Sequence, residues 1–360
     1  MTLRELNRAT LSRQMLLVRD TRTAVRAIEQ LLGVQAQLPR PPFTGLWTRL
    51  EGFARSDLAK AVAARTVVRA TSMRGTIHLM TAADFLKYRG CLQPSLDLGM
   101  HAILKERATA LDLTALLKVA RSYFKEPHTF EEARDHFVST FPRGDERAMG
   151  YAVRMGLPLV QVPSGDAWAY PAKADFVSAE AWLGKPVAAC TSAATLVLRY
   201  LAAYGPATIK DIQAWLGLPD AERVVASLGD RVITLPGPSG KPLYDLPDAP
   251  RPDADTPAPV RFLPEWDGAI VTRADERVVA KADRPRVFLP GLRVAALVLV
   301  DGQAAATWKV AATSKLATLH VESFKPWPAP IRREVAVEGE ALVRFVEPKA
   351  KAFDVKVTTA

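Results

Sequence analysis

One order of elements recurs three times along this chain: a run of short helices, then a hairpin. In the first pass Thr2 and Glu5 form a capping box that opens a helix to about residue 17. Residues 23–32 form a second helix, with Val25, Ile28, Leu31 and Leu32 on one face and Gly33 as its C-cap. A proline turn (Pro39, Pro41, Pro42) leads into a helix over 43–50, and Ser56 caps another ending near residue 64. The period then changes, and 67–70 and 76–79 read as strands joined through Met73-Arg74-Gly75. The second pass has helices over 114–124, from the Thr129/Glu132 capping box, and over 146–155, then a hairpin of 159–162 with 167–170. The third has helices over 193–204, 208–216 and 221–228, and a strand at 231–235 entering a turn at Pro238-Ser239-Gly240. Helices followed by a hairpin is the order of a winged helix-turn-helix unit.

Eight prolines in residues 236–259 end this array in a stiff linker. Beyond it the chain reads as mostly β. Short strands are expected at 260–263, 269–272, 278–280 and 287–289, and a hairpin of 297–300 with 304–310 around Asp301-Gly302. Another strand covers 316–321, and the spacing of Ile331, Val335, Leu342 and Phe345 predicts a closing helix over 331–346. The expected fold class is α+β: winged-helix units at 1–110, 111–188 and 189–247, then a β-rich domain at 248–360.

At 49 % hydrophobic and 24 % charged residues, the chain can bury real cores, and 360 residues exceed what one core holds. Two cysteines, Cys91 and Cys190, are too few for a disulfide scaffold or a Cys-rich zinc module and point to a reducing compartment. The N-terminus is charged and helical in pattern, unlike a signal peptide. The longest apolar run, 294–300, is too short to span a bilayer. A soluble cytoplasmic protein without a membrane partner is expected.

The net charge of +10 is unevenly placed. Residues 1–110 hold 17 basic against 8 acidic side chains, and 14 of those 17 are arginine. Arginine's rigid donor fork suits phosphates, so the first unit is the expected meeting point with nucleic acid.

Known cofactor signatures are missing. There is no Walker motif, no G-x-G-x-x-G and no G-x-S-x-G elbow. The five histidines, including His128 and His136, lack metal-ligand spacing, so neither cofactor nor metal is expected. What remains is Gln35-Ala36-Gln37, just past a helix end and inside the basic third. In an extended chain both carboxamides point the same way and could hold one water or one polarised ligand. Taken alone, the plainer reading is that they satisfy helix-end carbonyls.

Gln-apolar-Gln at the end of the second helix resembles the catalytic motif of the winged-helix DNA glycosylases of the AlkZ/YcaQ type. Three further segments agree in order. Arg74-Gly75-Thr76-Ile77-His78-Leu79 looks like that family's R-G-T-x-H-L segment, and Leu263-Pro264-Glu265-Trp266-Asp267 its L-P-x-aromatic-D segment. Val300-Asp301-Gly302 with Thr307-Trp308 looks like its late hairpin. The resemblance covers roughly residues 2–346 and implies three tandem winged helices around a concave DNA channel. Many YcaQ-like members end the motif in Asp, whereas Gln37 matches the AlkZ branch. That branch is associated with bulky N7-alkylguanine adducts, interstrand crosslinks included, made by DNA-alkylating natural products.

The resemblance therefore implies a monomeric glycosylase acting on double-stranded DNA that carries alkylated guanine, nucleoid-associated in a bacterial cell. Its catalytic residues would be Gln35 and Gln37. Arg69 and Arg74 on the first wing are candidate phosphate contacts, with Arg49 and Arg65 as further ones; a solvated wing tip is the plainer reading. His78 is either a substrate contact or a core histidine. Trp266 and Trp308 are expected to pack in the β domain, and the Asp301-Gly302 turn is one candidate for a lesion-probing hairpin. The competing class is a non-enzymatic tandem winged-helix regulator.

Overall fold

The computed structural model describes residues 1–109, 111–238, 240–273 and 275–359. The first helices are α1 (Leu3–Arg13), α2 (Ala24–Gln30), α3 (Pro41–Trp47) and α4 (Arg55–Ala63), with the short strand β1 (Val34–Gln35) between α2 and α3. The expected box at Thr2/Glu5 caps α1. Ser56, by contrast, is not a cap: α4 begins one residue earlier, and Asp57 reaches back to the Ala54 amide. Strands β2 (Val67–Thr71) and β3 (Ile77–Thr81) form the wing, and Thr81 caps the long helix α5 (Ala82–Leu104).

A short α6 (Glu106–Thr109) leads to α7 (Leu113–Tyr123), α8 (Phe130–Thr140) and α9 (Glu146–Gly156). Strand β4 (Leu159–Gln161) then pairs with β5 (Phe176–Ser178), and α10 (Ala179–Leu183) follows. Residues 167–170 are a turn rather than the expected strand. Their aromatics are drawn elsewhere: Trp168 packs edge-on against Phe43, and Tyr170 lies under Arg69. Because β2 also pairs with β4, the first two hairpins merge into one five-stranded sheet, ordered β1-β3-β2-β4-β5.

The third set is α11 (Ala194–Tyr204), α12 (Ile209–Leu216) and α13 (Ala221–Ala226), then β6 (Ile233–Pro236) paired with β7 (Pro242–Asp245). Ser239, in the expected turn of this hairpin, lies outside the described residues. These helices bury Tyr200, Tyr204, Ile212 and Trp215 in one cluster with Val68, Ala70 and Met80 of the wing.

Strand β8 (Arg261–Leu263) opens the last part. The expected strand at 269–272 is instead the helix α14 (Gly268–Val271), because the Asp267 carboxylate accepts from the Ala269 amide and caps it. Residues 278–280 are irregular, and α15 (Arg284–Val287) takes part of the next expected strand. The hairpin β9 (Phe288–Leu289) with β10 (Arg293–Val294) carries Leu292, 93 % exposed, at its tip. Strands β11 (Leu297–Val300), β12 (Gln303–Ala312) and β13 (Leu316–Ser323) follow, then the closing helix α16 (Ala329–Val346). The tail forms β14 (Ala352–Thr359), which joins β13 in parallel through α16 as a crossover. Gly339 lets α16 lie close on this sheet, since a Cβ there would stand 2.8 Å from Leu319. Trp308 donates its indole N–H to the Leu263 carbonyl at 2.9 Å and packs on Phe262.

The Asp301-Gly302 turn is docked rather than projecting. Asn7 of α1 donates to the Gly302 carbonyl at 2.7 Å, and a Cβ at Gly302 would stand 2.4 Å from the Asn7 side chain. Arg4 and Arg8 both pair with Asp301, so this turn is not a free probe. It is part of a wider pattern. Among the described residues, nine of the fourteen arginines before residue 110 form ion pairs. Six of the nine reach across to Asp245, Asp267, Asp301, Glu338 or Glu347. The basic surplus of the first third is largely spent on holding the C-terminal part.

Cys91 in α5 and Cys190 ahead of α11, set aside in the sequence as too few for a scaffold, form a disulfide across 99 residues. The two segments already meet: the Ala188 amide donates to the Leu86 carbonyl, and a Cβ at Gly90 would stand 2.3 Å from the Ala188 oxygen. No helix of the described residues is long and apolar enough to cross a membrane.

Candidate active site

Gly33, at φ +98°, turns the chain out of α2 and lets it run along β3 with no Cβ to strike the Leu79 carbonyl. In the resulting register Gln35 stands opposite His78, and the Ala36 amide donates to the Ile77 carbonyl at 2.7 Å. The Gln-x-Gln and R-G-T-x-H segments are thus neighbouring strands. Both carboxamides address the same stretch of chain. The Arg74 guanidinium donates through Nη2 to Gln35 Oε1 at 2.8 Å, and the Ile77 amide donates to Gln37 Oε1 at 3.4 Å. Arginine and amide N–H groups only donate, so in both glutamines the oxygen must face that partner. The two amides are oriented before any ligand arrives. Gln35 is 8 % exposed and Gln37 lies open to solvent.

Arg69 fixes the motif's backbone. Its Nε donates to the Ala36 carbonyl at 2.9 Å, its Nη2 to the Gln37 carbonyl at 3.0 Å, and its Nη1 to Gln161. It is 4 % exposed, and burial pulls it down to about 10. Arg69 is therefore a brace for Gln35 and Gln37 and not the expected phosphate contact. Arg49 is likewise removed from the DNA-facing set. It is 1 % exposed, with Nη1 and Nη2 on Asp267 at 2.8 and 2.7 Å. Arg65 is exposed and stacks on Trp182 at 3.9 Å, but it sits where β2 begins, at the opposite end of the wing from Arg74.

Arg74 occupies the wing turn at φ +56°, half-buried, its guanidinium 4.2 Å over the Trp215 ring. Burial holds it at about 10. His78 is wholly buried, edge-on to Trp215, with Nδ1 3.1 Å from the Thr76 carbonyl. Burial first, and the charge of Arg74 second, push its pKa down to about 3. His78 is a neutral core histidine beside Gln35, out of reach of a substrate.

This makes a pH test. The unfolded chain takes a proton on His78 near 6.5, whereas the folded chain resists it until about 3. Folding stability is therefore expected to fall as pH drops through that window, by about 1.4 kcal/mol per pH unit from this group. Urea unfolding of the protein and of His78→Gln at several pH values gives the difference curve. A flat difference between pH 6 and 4 would show that the imidazole is solvated.

The L-P-x-W-D loop closes the other side of Gln35. Pro264, Glu265 and Trp266 share with Gln35, Pro41 and Pro42 the lining of a cavity of only about 20 Å³. Trp266, at φ +56°, donates its indole N–H to the Leu292 carbonyl at 3.0 Å, linking this wall to the exposed β9–β10 tip. Sequence reasoning missed Trp215 and Gln161. Neither belongs to a spacing pattern, and each reaches the site only through tertiary packing. Among the described residues no group of three or more His, Cys, Asp or Glu side chains is placed to hold a metal. His128 and His136 both stack on Tyr123, at 4.0 and 4.4 Å.

The family model of the AlkZ-like DNA glycosylases matches residues 28–345, which takes in Gln35, the wing and the L-P-x-W-D loop. This chain belongs to the AlkZ-like DNA glycosylase family. It is thus a DNA glycosylase by family, an enzyme rather than a regulator. A Streptomyces sahachiroi relative named as an interstrand DNA cross-link repair glycosylase is 25 % identical over 357 residues, covering 92 % of each chain. The solved structure of the Streptomyces sahachiroi DNA glycosylase AlkZ has the same mixed helix-and-strand fold. Its TM-score is 0.80 at 19 % identity, over 99 % of this chain and 100 % of that one.

Proposed function

We propose that this AlkZ-like glycosylase hydrolyses the N-glycosidic bond of bulky N7-alkylguanine adducts in duplex DNA and unhooks interstrand crosslinks built from them. It would serve repair or self-resistance to a DNA-alkylating natural product. We read it as a monomer using neither metal nor cofactor, with winged-helix units at 1–110, 111–188 and 189–247 and a β-rich domain at 248–360. The observation that carries the chemistry is the pair of carboxamides fixed by donors along one strand edge.

Guanine alkylated at N7 is already cationic and leaves as a neutral base, so no general acid need protonate it. The sugar becomes oxocarbenium-like, as in other glycoside cleavages. The site must then supply a positioned water and oxygen dipoles near that charge. A carboxamide oxygen has two lone pairs. With one held by the Ile77 amide, the second on exposed Gln37 is left for the water. Gln35, polarised by Arg74, braces the other side. Amides are weak bases, so the reading demands an activated leaving group and spares undamaged guanine. Arg74 and Arg65 are kept as phosphate contacts. The cavity of about 20 Å³ beside Gln35 has room for about one water.

The test is incubation with duplex carrying one N7-alkylguanine, followed by alkali. Strand breaks at the lesion, absent from undamaged duplex, are expected. The same assay on a crosslinked duplex is expected to release the two strands. Intact strands from both substrates would overturn the reading.

A further inference from the structure

Arg74 also lines a cleft of about 650 Å³ in which Gln35 takes no part. It is bounded by the wing turn, the first turn of α12, β7 and the segments around α14 and α15. We propose that this cleft seats consecutive phosphodiesters of the DNA strand and that Arg74 joins one of them to Gln35.

Charge is the first ground. Arg74, Lys210, Lys241, Arg273 and Arg284 line the cleft against two carboxylates. Those two are engaged elsewhere: Asp211 caps α12 through Thr208, and Asp275 is gripped by Arg277. Lys210 and Lys241 are exposed, and neither has an ion-pair partner among the described residues. They contrast with the first-third arginines, most of which are already paired.

The second ground is Arg74 itself. Its Nη2 is on Gln35, and its plane is held against Trp215. Its Nη1 is buried with no hydrogen-bond partner among the described residues. A buried donor left unpaired is costly, and a charged one more so. A phosphate oxygen in the cleft would pair with Nη1 while Nη2 stays on the carboxamide, a use of the guanidinium fork that lysine cannot copy. DNA seated in the cleft would then hold in place the guanidinium that already orients Gln35. Only this coupling rests on the reading of Gln35 as catalytic; the phosphate site does not.

Two arms test it. Binding to an undamaged duplex is measured against salt for the protein and for Lys210→Gln/Lys241→Gln. The slope of log K on log salt is expected to shrink by about 1.8, or about 0.9 for each lost phosphate contact. An unchanged slope, with thermal unfolding also unchanged, would overturn the site; if the double variant unfolds, the single Lys210→Gln is read the same way. In the other arm, Arg74→Lys has one nitrogen for two partners. It is expected to lose either about one unit of salt slope or at least tenfold in excision at saturating DNA. Wild-type values of both would overturn the bridge. Should the unaltered protein excise nothing, the glycosylase reading fails, yet the salt slope still decides the cleft.

Discussion

Alanine at Gln37 is expected to slow excision of N7-alkylguanine by roughly 10- to 1,000-fold, by analogy with loss of one electrostatic stabiliser. Its side chain is exposed and, among the described residues, holds only the Ile77 amide, so duplex affinity and unfolding temperature should hardly move. Gln35→Ala should slow excision over the same range and also lower stability. It strips the acceptor from a half-buried Arg74, a loss of about 1–3 kcal/mol for a donor left unsatisfied. The double variant should be little worse than either single one if the amides act as a unit. Single-turnover excision on a monoadduct duplex, paired with binding to the same duplex, separates these effects. Full activity in the double variant would sink the mechanism.

The largest expected stability effect lies at Arg49. Its fork is closed on Asp267 with both partners almost wholly buried, and its Nη1 also donates to the Gly45 carbonyl at 2.9 Å. Removing one member of such a pair leaves the other charge stranded, at a cost of about 3–5 kcal/mol. Arg49→Ala should therefore lower the denaturation midpoint sharply. Excision should drop with it, because Asp267 anchors the loop that walls Gln35. Changing both members to apolar residues should recover much of the stability, since the stranded charge is then gone. An unchanged midpoint in the single variant would mean that water reaches the pair.

Elements whose signals are local were legible in the sequence. The boxes at Thr2/Glu5 and Thr129/Glu132 cap the expected helices, because a cap is a contact between residues three apart. The wing was readable from its change of period. Residues 167–170 were misread because Trp168 answers to Phe43, far away in sequence. The tail was unreadable because a parallel strand takes its register from a partner across a helix. At the site, Gln35 and Gln37 stood out in the sequence, but their partners did not. Arg69 and Arg49 looked like phosphate contacts because composition counts a charge without saying whether a carbonyl or a carboxylate already holds it. Lys210 and Lys241 went unnoticed in a nearly neutral body for the same reason.

The docking of α1 bears on how the chain is made. Arg4 waits for Asp301, 297 residues later, and Arg13 for Asp245, 232 residues later. At about 5–20 residues per second, the first helix leaves the ribosome roughly 15–60 s before Asp301 exists. Until then its seat is incomplete, so the full docking of the first segment made waits for most of the chain. A bulky fusion ahead of Met1 would burden that step more than one placed after β14.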